Sequence, residues 1–121
     1  MTCFDASALL VLLQSEAGVQ TVERALDAGG AVSAVNWSEV AQKVLAAGAS
    51  WPLAAALLAS YELRVEPVLA IDAERAAALW QRGSGLSLAD RLCLATAERL
   101  DAVVLTADTA WGSSDRIRQV R

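Results

Sequence analysis

Not one of the 121 residues is a histidine. Acid–base chemistry of the ribonuclease-A kind, which moves protons through imidazole, is therefore excluded. So is an ordinary zinc centre, because Cys3 and Cys93 are the only cysteines and cannot complete a four-ligand site by themselves. Both cysteines lie in apolar runs, which suits buried free thiols in a reducing cytoplasm better than a disulfide. Lysine occurs once, as Lys43 in mid-helix. A phosphoreceiver domain wants a lysine near its site and paired acids near its first strand, and that pattern is missing. No apolar run approaches the ~20 residues that span a bilayer. The opening residues lack the basic stretch of a signal peptide and carry Asp5 too early for one. The expectations are a cytoplasmic protein with no membrane segment. Repeats, linkers and low-complexity tracts are also absent.

What is present is apolar and mildly acidic. Hydrophobic residues make up 55% of the chain, with a mean hydropathy of +0.39. The length fits one compact domain over residues 1–121. Apolar surface beyond the needs of a core points to a partner protein or to self-association. The net charge of −4 comes from 14 acidic and 10 basic residues. That disfavours broad non-specific contact with nucleic acid. If four acids form one site, the remainder balances (14 − 4 = 10), so RNA stays open as a substrate met locally.

The chain alternates short apolar strands with helical segments, which implies an α/β sandwich on a parallel sheet. Cys3–Phe4 ends a first strand, and Ala8–Leu13 is helical. Ser15 is positioned to cap a helix bearing Val19, Val22 and Leu26, stopped by Gly29-Gly30. Ala31–Ser33 is a second strand. Asn36-Trp37-Ser38-Glu39 opens a helix that ends near Gly48. Ser50 caps the next, with Pro52 in its first turn and Leu53, Leu57 and Leu58 as its buried side. Leu63–Pro67 reads as an edge strand, with Glu62, Arg64 and Glu66 pointing outward. Asp72 caps a helix through Leu79-Trp80. Ser87 starts the longest helix, to about Leu100. Ala102–Thr106 is a buried strand, and Ile117–Val120 a last short one.

Four acids stand at the ends of these elements: Asp5 after the first strand, Glu39 and Asp90 in first turns of helices, and Asp108 after Val103-Val104-Leu105. In open parallel sheets, functional groups collect beyond the C-terminal strand ends. Carboxylates are also favoured at helix N-termini. Together the four could hold one or two hard divalent cations, Mg²⁺ or Mn²⁺, with Ser7 and Thr106 orienting them. Forced together without a cation they repel, so at least one should have a raised pKa. Each also has a plainer reading. Glu39 with Asn36, and Asp90 with Ser87, have capping-box spacing. Asp5 could end a turn, and Asp108 could cap Thr109–Trp111. Asp27, Asp72, Asp101 and Asp115 read as solvated turn or cap residues. Trp37, Trp51 and Trp80 read as core or interface. Trp111, close to Asp108, is the one placed to stack on a base. Arg91 points about 100° away from Asp90, toward solvent or phosphate.

Four pieces in order resemble the PIN-domain family, specifically the VapC-type ribonuclease toxins of bacterial toxin–antitoxin pairs. They are Asp5-Ala6-Ser7-Ala8-Leu9, Val35-Asn36-Trp37-Ser38-Glu39-Val40, Gly85-Leu86-Ser87-Leu88-Ala89-Asp90-Arg91 and Leu105-Thr106-Ala107-Asp108. The resemblance covers essentially the whole chain. It implies a three-layer α/β/α sandwich with a central parallel sheet. It implies a Mg²⁺- or Mn²⁺-dependent endoribonuclease acting on single-stranded or structured RNA, tRNA included. By position, Asp5, Glu39, Asp90 and Asp108 would be the acidic, metal-holding and catalytic set, with Ser7 and Thr106 as accessory hydroxyls. A cognate antitoxin that blocks the site and a toxin homodimer are implied as well. Hydrolysis would leave a 5′-phosphate and a 3′-hydroxyl, with Glu39 or Asp108 as the base or water-positioning group. A catalytically silent PIN-like module that only binds a partner is the alternative. A haloacid-dehalogenase phosphatase is disfavoured, since Asp5-Ala6-Ser7 lacks its second acid.

Overall fold

The computed structural model describes every residue from Met1 to Arg121. Five short strands form one sheet: β1 (Thr2–Phe4), β2 (Gly30–Ser33), β3 (Leu63–Glu66), β4 (Val103–Thr106) and β5 (Ile117–Gln119). The strand order is β3-β2-β1-β4-β5, and every pair is parallel. The helices are α1 (Ala6–Leu13), α2 (Val19–Asp27), α3 (Ala34–Ala46), α4 (Trp51–Ala59), α5 (Ala70–Ala78) and α6 (Leu88–Arg99), with a 3₁₀ turn over Thr109–Trp111. The result is the three-layer α/β/α sandwich expected for this sequence.

Period-two alternation sorts the strand side chains onto the two faces. Phe4, Val32 and Leu105 pack with Leu9, Val22, Leu26, Val40 and Leu58 from the helices of one face. Cys3 and Val104 point the other way and meet Cys93 and Ala97 of α6. Behind α6, Leu92 and Ala95 close on Ala76 of α5. Both cysteines are free and buried, as the composition suggested. The Cys93 thiol is pushed far up by its hydrogen bond with Cys3 and by burial, so it stays protonated and unreactive. Gly30 admits no side chain, since a Cβ there would stand 2.6 Å from both the Phe4 ring and the Thr2 carbonyl.

Several local expectations change. Ser15 does not cap α2; it sits in a left-handed turn with φ 51°, and Gly18 is the cap. α3 starts at Ala34, because Ser33 ends β2 and caps the helix at once by accepting the Asn36 N–H. This makes α3, with 13 residues, longer than α6 with 12. In α4 only Leu58 is buried, while Leu53 and Leu57 are 73% and 44% exposed. The helix leans on its neighbours along one narrow side, and its other leucines face out. β3 is an edge strand, but Glu66 turns partly inward toward Arg99 instead of outward.

Asp72 departs most from a solvated cap. It lies in the first turn of α5, and one oxygen accepts the Leu69 N–H at 2.9 Å. The other accepts from Arg99 of α6 at 2.8 Å. The side chain is 1% exposed. Desolvation opposes its charge, but the Arg99 and Leu69 hydrogen bonds and the Arg99 charge win, and its carboxyl is held below the usual range. Its contribution to stability is therefore complete above about pH 4 and is lost as pH falls through the lowered native value. Asp72→Asn should cost on the order of 2 kcal/mol at neutral pH, below the full penalty of a broken buried pair because Arg99 reaches solvent. Urea unfolding of both proteins checks this: the gap should be open at pH 7 and shrink below about pH 4.

Candidate functional site

β1 and β4 lie side by side at the centre of the sheet, so the residues that follow them emerge together. Asp5 leaves β1 and caps α1, its Oδ1 accepting the Ala8 N–H at 2.8 Å. Ser7 donates to the same oxygen at 2.7 Å. Thr106, the last residue of β4, donates to Oδ2 at 2.5 Å. The two hydroxyls then brace the β4 loop: Ser7 Oγ accepts the Ala107 N–H at 2.9 Å and Thr106 Oγ1 accepts the Asp108 N–H at 3.0 Å. Ser7 and Thr106 are thus accessory to Asp5, each fixing one of its oxygens.

Asp5 is 4% exposed. Burial raises its pKa, the hydrogen bonds from Thr106, Ala8 and Ser7 oppose that, and the Asp90 charge raises it again; the carboxyl ends above its ordinary value. A raised acid is expected from repulsion within the cluster; the raise is found at Asp5, but burial is its main cause and the Asp90 charge the smallest.

The other three acids converge on the same place. Asp5, Glu39, Asp90 and Asp108 line one cleft of about 140 Å³, together with Ser7 and Lys43. Each of the three is tethered by one oxygen only. Asp90 Oδ2 accepts the Ser87 N–H at 2.9 Å in a capping box. Asp108 Oδ1 accepts the Ala110 N–H at 3.0 Å. Glu39 Oε1 accepts from Asn36 Nδ2 at 2.8 Å. The second oxygen of each accepts nothing within the chain. Capping and ligation therefore do not compete here, since one lone oxygen per carboxylate stays available. No three acidic or thiol side chains form a ready-made ligand set for one ion in this geometry. The acids share a cleft without closing on a point.

Glu39 needs a correction. It is in the second turn of α3, not the first, and it caps nothing. Asn36, buried in the first turn, holds it. Ser33 donates to Asn36 Oδ1 at 2.7 Å, and Asn36 Nδ2 also reaches the Ala89 carbonyl at 3.4 Å, beside Asp90. Asn36 thus ties α3 to the start of α6 and sets the distance between two acids. Lys43 in the cleft was not foreseen either. The signal was present in spacing: Asn36, Glu39 and Lys43 are at i, i+3 and i+7, one stripe of a helix.

Two residues leave the site. Trp111 does not line the cleft; partly buried, it packs against the cluster of Cys3, Cys93 and Val104, and its indole N–H is enclosed without a partner in the chain. Arg91 turns away from the cleft and donates to the Ala76 carbonyl at 2.8 Å. Trp37 and Trp51 pack edge to face, with centroids 5.0 Å apart.

Comparison with known proteins gives a consistent picture. The PIN domain family model matches residues 2–116. No curated protein matches the chain. Among solved structures, a toxin–antitoxin complex from Klebsiella pneumoniae superposes with a TM-score of 0.77 at 22% identity, covering 100% of this chain and 98% of that one. VapC20 of Mycobacterium tuberculosis, described as a sarcin-ricin loop cleaving toxin, gives 0.72 at 20% identity, covering 95% and 98%. DNA-bound VapBC from Salmonella typhimurium gives 0.70 at 15% identity, covering 99% and 98%. At these identities the likeness is one of fold.

The pKa of Asp5 has a direct thermodynamic consequence, opposite in sign to that of Asp72. A carboxyl raised on folding destabilises the native state progressively as pH climbs from about 4 through the raised native value. Asp5→Asn should therefore melt at or above the wild-type temperature at pH 7 in EDTA, and this advantage should vanish near pH 4. Differential scanning calorimetry at the two pH values decides. A variant less stable at pH 7 would mean that the hydrogen bonds to the carboxylate outweigh its burial.

Proposed function

The chain belongs to the PIN-domain family, and we propose on that premise that it is a metal-dependent endoribonuclease of the VapC toxin type. The observation that carries this reading is the cleft with four carboxylates, three of which keep one oxygen free. Their chemistry suits Mg²⁺ or Mn²⁺, hard cations that take oxygen ligands. Asp5, Asp90, Asp108 and Glu39 would hold the cation, which when bound supplies charge stabilisation at the phosphoryl group and a more acidic water. The Asp5 carboxyl, raised chiefly by burial, supports the same reading, because an adjacent cation would stabilise its charge.

The residues of the chain divide the remaining work. Ser7 and Thr106 keep Asp5 in one orientation. Asn36 fixes one oxygen of Glu39, and the free oxygen of Glu39 or of Asp108 accepts the proton of the attacking water. Asp108, which lines the same cleft, is anchored to its own turn through Ala110. In-line attack on phosphorus forms the new P–O bond as the P–O3′ bond breaks, leaving a 5′-phosphate, and the departing 3′-oxygen takes a proton from solvent to become the 3′-hydroxyl. The substrate is RNA, single-stranded or structured, with tRNA as one candidate, in the cytoplasm.

Two apolar surfaces suit two protein partners. A groove of about 270 Å³ runs between α1, α3 and α4, lined by Leu10, Leu13, Val44, Leu53 and Leu57 among others, and it shares Leu10 and Lys43 with the acidic cleft. A cognate antitoxin would lay an apolar segment there and extend a basic residue into the acids. On the far edge of the sheet, Val65, Leu69 and Ile71 are 44%, 42% and 63% exposed; this is the face for a second copy in a homodimer.

Incubation of purified protein with total RNA tests the activity. Cleavage should require Mg²⁺ or Mn²⁺ and stop in EDTA. Asp5→Asn, Asp90→Asn and Asp108→Asn should each lose at least about 100-fold, the scale of one essential electrostatic group. Partner binding without any metal-dependent cleavage would favour the silent binding module. For the groove, Leu53→Asp with Leu57→Asp should abolish capture of the antitoxin encoded beside this chain yet leave cleavage intact. Retained capture would move the docking site elsewhere.

A further inference from the structure

Lys43 is the one lysine of the chain and the one basic residue lining the acidic cleft. It is exposed on α3, one turn after Glu39. Its ammonium takes part in none of the ion pairs of the protein, although four carboxylates share its cleft. A second hollow, of about 280 Å³, opens beside the cleft, and the two share Ser7, Leu10 and Lys43. Arg121 lies on the wall of that hollow, as does Glu16. The Arg121 guanidinium is anchored by one nitrogen, which donates to the Ala17 carbonyl at 2.6 Å, and it too enters no ion pair. Elsewhere Arg64, Arg75, Arg99 and Arg116 pair with acids, Arg91 holds a carbonyl and Arg82 lies over Trp80; Arg24 and Arg118 also enter no ion pair, but they line neither the cleft nor the hollow. Two unpaired cations therefore flank the acids on one side, where the hollow continues the cleft.

We infer that Lys43, with Arg121 beside it, forms a phosphate subsite that holds the phosphodiester next to the one that is cut. The inference rests on the ribonuclease reading and adds to it the direction in which the strand leaves the acids. A structural counter-ion would be drawn onto a carboxylate, and Lys43 is not. An ammonium on a flexible stem binds phosphate as a point charge and releases counterions from the strand when it does so. This also accounts for how a chain of net charge −4 handles a polyanion: the attraction is confined to one lane beside the metal-binding acids.

The test is the affinity of a short fluorescein-labelled single-stranded oligoribonucleotide, read by anisotropy in Mg²⁺ on an Asp5→Asn parent that does not cut. Adding Lys43→Met should weaken binding about three- to tenfold and reduce the slope of log affinity against log salt by about 0.7, one phosphate contact on a single strand. Arg121→Met should act in the same direction, and Lys43→Arg should restore both affinity and slope. The melting temperature of Lys43→Met should equal that of its parent, because the side chain is exposed and unpaired. Equal affinity of Lys43→Met and its parent overturns the subsite and leaves the ribonuclease reading standing. Weaker binding with an unchanged salt slope, or with a lowered melting temperature, assigns Lys43 a structural role and also overturns it. A parent that does not bind RNA at all removes both.

Discussion

The carboxylate of Asp5, buried at the seam between β1 and β4, is the constraint on which the site depends. A charged group at 4% exposure is costly unless hydrogen bonds meet it. Here the Thr106 and Ser7 hydroxyls and the Ala8 N–H do so. Those partners come from the end of β4 and the start of α1, while Asp5 itself follows β1. The need to satisfy one carboxylate thus fixes the relative position of three elements. The same hydroxyls accept the backbone N–H groups of Ala107 and Asp108, so the loop carrying the next acid is set by the first. Partial satisfaction is the point of the arrangement. The hydrogen bonds are sufficient to keep Asp5 in place and insufficient to bring its pKa down to normal, which leaves it suited to an opposite charge.

The surrounding acids repeat this economy of one oxygen held and one free. Asp90 caps α6, Asp108 caps a 3₁₀ turn, and Glu39 is held by Asn36. Fixing one oxygen to the scaffold limits rotation of the carboxylate and lowers the entropy lost when a ligand is gathered. It also explains why helix starts recur in the site: capping supplies a fixed carboxylate as a by-product of starting a helix. Asn36 has a separate role, because through the Ala89 carbonyl it joins the element bearing Glu39 to the one bearing Asp90.

Much of this was legible in the sequence, and the failures have physical causes. The strands and their parallel arrangement followed from short apolar runs between helical segments, and the common edge of the four acids followed from strand ends. Local signals misled where tertiary contacts decided. Ser15 had cap chemistry, but Gly18 accepts a φ of 100° that turns the chain into α2. Asp72 reads as a surface cap until Arg99, 27 positions later, encloses it. Leu53 and Leu57 have core chemistry and face outward, since periodicity marks an apolar stripe without saying whether this chain or another covers it. Trp111 was close to Asp108 in sequence, yet its ring packs partly buried against the Cys3, Cys93 and Val104 cluster and does not line the cleft. Lys43 was counted as an absence of lysine elsewhere, when its spacing from Glu39 already placed it on the same stripe.

The central claim is that these four acids exist to hold a divalent cation. It is tested most directly by anomalous scattering from crystals grown with millimolar Mn²⁺. The expected result is a peak about 2 Å from a free oxygen of Asp5 or Asp90, with Asp108 or Glu39 completing the shell directly or through water, and its disappearance in Asp5→Asn. A Mn²⁺-soaked crystal with an accessible cleft and no peak there, or a peak bound only at unrelated surface carboxylates, would contradict the assignment and leave the acids as caps.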